Sequence, residues 1–265
     1  MKPAVLVIAI CWPLAAQWLN QPAPGVPRQP DGKPNLTAPA PRVNGHPDLS
    51  GVWQLEPNPC NPQGLNPCDD YPAGPEFVNL GAHLPGDIPY QPWVVDFVNS
   101  MAVGLGKDDP VALCKPGGLV RLLTYPQYRK FLQMPGLFMI LSERETTFRQ
   151  IFLDGRSLPK DPNPTWLGYS VGKWDRDTLV VESVGFRDGT WLDRRGSQLT
   201  SAGKITEKYR RPNVGNLEIE ITIDDPKAYT RPWTVKLHEI LVPDTDLLEY
   251  QCGDNEKDAA HSVGK

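Results

Sequence analysis

Charged residues set among apolar ones are the first feature of this chain that could do chemistry. Glu182 shares a strand face with Val180 and Val184, and Arg149 shares one with Ile151 and Leu153. Glu239 lies among Trp233, Val235, Leu237 and Leu241, and Glu143 ends the nearly all-apolar run "LFMILSE". A lone buried charge is costly, so each must be paired or must serve a site. One reading is an internal ion pair such as Arg149–Glu182 that holds strand register. The other is a catalytic pair: Glu182 or Glu143, in a dry cavity with Arg149, works as general acid or base.

Tryptophans supply the second set. In "TWLGYSVGKW", Trp166 and Trp174 share a face with Gly168, Ser170 and Gly172. Small residues between two indoles leave a slot for another backbone or a flat ligand. Candidate ligand-binding residues are therefore Trp166, Trp174, Tyr169, Ser170, Trp191 and Trp233. Glu182 is the polar contact if its face turns the same way as Trp174, which depends on register.

Other chemistries have little material. No G-x-S-x-G, H-E-x-x-H, P-loop or strand-linked G-x-G-x-x-G motif is present. Only four histidines occur, His46, His83, His238 and His261. His238 falls on the polar face of its strand, so a His-based triad or three-His metal site is not expected, nor is any metal or cofactor. Asp154-Gly155-Arg156 and Asp175-Arg176-Asp177 read as turns.

The elements that must position these residues are mostly strands. From Gly136 the chain alternates strand and turn: 137–143, 147–153, 165–174, 178–186, 204–211, 217–224, 233–241 and 247–252, with one more strand near Trp53. Such a meander removes its exposed edges by closing into a barrel. The expected fold is mainly β, an antiparallel meander closing into a barrel, with a Pro-rich N-terminal arm and one helix. Residues 18–47 are too Pro-, Gly- and polar-rich to fold alone and read as an arm or linker. The domain is 48–255, with a helical insertion near 92–104, and 256–265 is a polar tail. Thirty of the 265 residues are proline, about twice the usual share.

The start, "MKPAVLVIAICWPLAAQ", has a lysine, an apolar run and then small residues, the layout of a secretory signal peptide over 1–17. The expected location is periplasmic or secreted, with no membrane span in the mature chain. Export leaves Cys60, Cys68, Cys114 and Cys252, which allow three disulfide pairings. Cys60–Cys68 with Cys114–Cys252 is the favoured one. Net charge is −4 without a basic block, so nucleic acid is not an expected partner.

Two resemblances add to this. "LSGVWQL", with Gly51, Val52 and Trp53, resembles the G-x-W opening of lipocalins and other calycin barrels, which implies that Trp53 plugs the closed end of a barrel. "PDLSGVW", "IFLDGR", "GYSVGKWDRDTLVVES", "GTWLD", "DDPKAYTRPW" and "LLEYQC" resemble a functionally uncharacterised family of secreted bacterial proteins. In that family two histidines often follow "TWLD"; Ser197 and Leu199 stand there in this chain.

The expected function is an exported barrel that binds a small apolar or aromatic molecule in a Trp-lined cavity. The alternatives are a metal-independent lyase, isomerase or hydrolase using Glu/Arg acid–base chemistry in that cavity, and a structural envelope protein with a filled barrel.

Overall fold

The computed structural model describes residues 21–56, 75–103 and 107–251. Short ribbons are β1 (Arg42–Val43) with β2 (His46–Pro47), and β9 (Thr190–Trp191) with β10 (Gln198–Leu199). The remaining strands are β3 (Gly51–Leu55), β4 (Arg129–Met134), β5 (Leu137–Ser142), β6 (Thr147–Phe152), β7 (Tyr169–Asp175), β8 (Thr178–Val184), β11 (Lys204–Asn213), β12 (Asn216–Asp224) and β13 (Trp233–Leu241). These nine close into a barrel in chain order, β13 returning to β3. Helices are α1 (Pro75–Val78), α2 (Pro92–Val103) and α3 (Gly118–Thr124), with a 3₁₀ turn at Pro110–Leu113. The barrel is as expected, and the helix expected near 92–104 is α2, with short α1 and α3 in addition.

A closed ring of alternating strands needs an even number, so nine strands require a parallel pair. That pair is β6–β7, held by two rungs only, Ile151↔Ser170 and Phe152↔Val171. The other neighbours run antiparallel. Strand membership also differs from the reading. Arg129–Met134 is a strand that lacks apolar alternation, because its inward positions include charged Arg129 beside Phe131. Residues 247–251 form no strand of the barrel; they run along it, with a bridge between Tyr250 and Arg144.

The barrel interior is filled. Phe131, Phe138, Ile140, Ile151, Leu179, Val181, Tyr209, Leu217, Ile219, Ile221, Ile223 and Leu237 are buried in one continuous core. Phe131, Phe138 and Tyr209 meet edge to face at 5.4–6.1 Å, the favoured geometry for aromatic clusters.

One barrel end carries the two-residue turns 135–136, 176–177 and 214–215. Trp53 closes it, fully buried, donating from its indole Nε1 to the Leu49 carbonyl at 3.0 Å. The Arg211 guanidinium lies over the Trp53 ring and donates to the carbonyls of Asp48, Ser50, Asn213 and Val214. Burial lowers the Arg211 pKa to about 10. The described part of the arm packs outside this end, tied by Arg28 to Asp244. At the opposite end every residue of α3 is buried, and its carbonyls at Leu122 and the following Tyr125 accept from Arg129. No helix among the described residues is long and apolar enough to cross a membrane.

Candidate functional site

Register decides where the hairpin residues point. Ser170 pairs with Ser183, Gly172 with Val181 and Trp174 with Leu179, so the small-residue face meets the odd-numbered face of β8. Glu182 pairs with Val171 and Thr206 on the outside, where it meets Lys204. The expected partnership of Trp174 with Glu182 is therefore absent. Both faces of "TLVVESV" are apolar enough that alternation alone does not choose between them.

The slot between Trp166 and Trp174 is likewise filled. A Cβ on Gly168 would lie 2.7 Å from Phe186 and 2.8 Å from the Val184 carbonyl, and one on Gly172 would lie 2.7 Å from Leu153. These glycines permit close packing. Trp174 stacks on His46 at 4.5 Å, Trp191 packs against Phe97 of α2, and Trp233 packs against Tyr229. The six expected ligand residues do not converge on one cavity.

Arg149 is buried and paired, but with Glu207. It donates from Nη1 to Glu207 Oε1 at 2.9 Å and from Nη2 to Ser170 Oγ at 3.1 Å and Ser183 Oγ at 3.2 Å. Tyr209 donates to Glu207 Oε1 at 2.6 Å. The Glu207 charge holds Arg149 protonated despite complete burial. A second internal pair joins Arg129 and Glu239 at 3.1 Å, where burial pushes the Glu239 carboxyl up to about 7. Glu143 accepts from the backbone N–H of Tyr128 and Leu248 at 3.0 and 2.9 Å. It therefore fastens the 242–250 segment to the barrel. His238, hydrogen-bonded to Glu56 at 2.7 Å, is on the outside as expected.

The parallel seam produces the candidate site. Beyond its two rungs the strands splay: residues 165–168 turn away, and Thr165 pairs with Phe186 across the Gly185 carbonyl. The gap is a cleft of about 420 Å³ lined by Phe148, Arg149, Phe152, Trp166, Tyr169 and Ser170, among others. Four expected residues, Arg149, Trp166, Tyr169 and Ser170, meet here, in the wall rather than in the barrel interior. Arg187 covers the Trp166 ring and Arg156 the Phe152 ring, while Arg156 donates to the Tyr169 hydroxyl at 3.2 Å. The Arg149 Nε–H is buried with no partner among the described residues.

Pro116, Thr147 and Leu167 line both this cleft and a small void of about 10 Å³ behind it, room for one water. Three buried polar atoms at the void have no hydrogen-bond partner among the described residues: Tyr125 Oη, Arg144 Nε and Glu145 Oε1. Arg144 Nε and Glu145 Oε1 form an ion pair at 3.4 Å without a well-aligned hydrogen bond between them. Burial raises the pKa of Glu145 and pushes that of Tyr125 up to about 12. In the sequence "SERET" looks like a plain polar turn, which hides Glu145; a hairpin turn with two non-glycine residues at positive φ is visible only in three dimensions.

A larger groove of about 820 Å³ lies between the arm, Val52, Leu241 and the 242–247 segment. Its charged groups are already engaged, Arg211 by carbonyls and Lys130 by Asp246. Ser197, at one expected histidine position, is fully buried and donates to Asp193, which also accepts from the Leu80 N–H. Among the described residues no group of three His, Cys, Asp or Glu side chains is placed to hold a metal. Cys114 is disulfide-bonded, while Cys60, Cys68 and Cys252 lie outside the described residues, as does the expected signal segment.

No protein-family model, curated protein or solved structure gives a significant match to this chain.

Proposed function

We propose that this is an exported barrel protein that binds a small, flat, partly aromatic molecule in the cleft at the β6–β7 seam. The observation that carries the reading is the splayed parallel pair, which opens an aromatic-walled gap in an otherwise packed barrel. The volume is within the range of small-molecule sites, which run from about 300 to 1,000 Å³. Trp166, Phe148 and Phe152 supply apolar faces, and the Tyr169 hydroxyl, which accepts from Arg156, supplies a polar contact at the rim. The signal-like layout of residues 1–17 and the even number of cysteines left after its removal support export.

Native mass spectrometry of protein purified from the periplasm or medium tests this. An added mass that is kept by Trp174→Ala and lost in Trp166→Ala supports the cleft. An added mass kept by Trp166→Ala puts the ligand elsewhere. Acid–base catalysis is a second reading, favoured by the half-buried carboxyl of Glu145 beside the cleft.

A further inference from the structure

The void behind the cleft has the size of a single water, and three polar atoms around it lack a hydrogen bond, two of them, Arg144 Nε and Glu145 Oε1, facing each other as an ion pair at 3.4 Å. A buried water typically makes about three hydrogen bonds to otherwise unsatisfied groups. Here it would accept from Arg144 Nε–H and donate to Glu145 Oε1 and Tyr125 Oη, leaving one lone pair free. The backbone that presents Glu145 is itself unusual. Glu145 and Thr146 have φ of 58° and 46°, a region costly for non-glycine residues and rarest for a β-branched one. Such strain persists where surrounding structure enforces it, and it concentrates at functional sites. Gly117 leaves the room: a Cβ there would lie 2.4 Å from the Tyr125 hydroxyl.

From this juxtaposition we propose that the void holds a hydrolytic water, that Glu145 is its general base, and that the substrate is a carboxylic ester of a flat aromatic alcohol lying in the seam cleft. The inference rests on the cleft being the ligand site. In the step, the water oxygen adds to the ester carbonyl carbon while Glu145 takes one of its protons. The carbon–oxygen bond to the aromatic alcohol then breaks, and the proton passes from Glu145 to the departing oxygen. An acid and an alcohol result, with no other reactant. The charged and titratable groups facing Glu145 are Arg144, Arg121 and Asp109, with Arg121 and Arg144 both set over the Tyr125 ring. Burial outweighs the two arginines, so Glu145 becomes an active base only above the usual carboxylate range.

The test uses the full mature protein with 1-naphthyl acetate as substrate and 1-naphthol as binding probe. Hydrolysis is expected to rise with pH through a midpoint above that of an ordinary glutamate. Glu145→Gln should lower the rate about 10²-fold or more, the usual worth of a general base, with 1-naphthol binding unchanged. Tyr125→Phe, which removes only the hydroxyl, should lower the rate and serves if Glu145→Gln does not fold. Binding of 1-naphthol without ester hydrolysis, or a rate unchanged in Glu145→Gln, overturns the hydrolytic reading and leaves the cleft in place. Absence of 1-naphthol binding overturns both.

Discussion

Replacing Glu207 by alanine would leave the Arg149 guanidinium charged in the barrel interior. Its remaining partners would be Ser170, Ser183 and Tyr209, all neutral. Both members of the pair are essentially inaccessible to water, so solvent cannot take over the role of the lost carboxylate. Breaking a buried pair from one side costs about 3–5 kcal/mol. A domain of this size loses roughly 2–4 °C of Tm per kcal/mol, which predicts a fall of roughly 6–20 °C by calorimetry. Removing both charges, as Arg149→Met with Glu207→Leu, should recover most of that loss, because the Ser170–Ser183 hydrogen bond at 2.8 Å survives. Urea denaturation of Arg149→Met, Glu207→Leu and the double variant gives the coupling directly. A Glu207→Ala cost under about 1 kcal/mol, the level of an exposed pair, would refute the buried network. A double variant less stable than Glu207→Ala would refute it as well.

Other predictions concern separate parts of the structure. Glu239 keeps its proton in the folded barrel up to about pH 7, whereas the unfolded chain releases it from about 4.5. Stability should therefore decline as pH rises through that window, by at most about 3 kcal/mol, and the decline should flatten in Glu239→Gln when measured by urea denaturation. Gly172→Val should destabilise by about 1–3 kcal/mol, as overpacking does, because its side chain would enter space held by Leu153 and Ile151. A neutral result would mean that the slot is open after all. Arg211→Lys keeps a charge but cannot reach four carbonyls at once. It should cost about 1–3 kcal/mol through the acceptors left unpaired, read as a shift in the denaturation midpoint.

Much of the fold was legible in the sequence, since strands with one apolar face declare themselves by alternation. "LEIEITID" and "WTVKLHEIL" became β12 and β13 with the expected faces inward, including Glu239. Strand β4 was hidden because its inward Arg129 breaks the pattern, and the burial of that charge depends on Glu239, 110 residues away. The same non-locality hid the partner of Arg149. Alternation identified a buried arginine, but Glu207 reaches it only through the pairing of β11 with β8. Four of the expected site residues meet because the seam is parallel, a consequence of strand number and not of any local motif. Glu145 left no mark in composition or period; its role depends on the burial of a turn by α3 and the 116–118 loop.

The proposed ligand site lies in the barrel wall at the parallel seam and not inside the barrel. Isothermal titration of the full mature protein with 1-naphthol tests it most directly, using Trp166→Ala and Trp174→Ala as paired variants. One saturable site is expected, lost in Trp166→Ala and retained in Trp174→Ala. Binding abolished by Trp174→Ala and untouched by Trp166→Ala would contradict it, as would no binding by the unaltered protein.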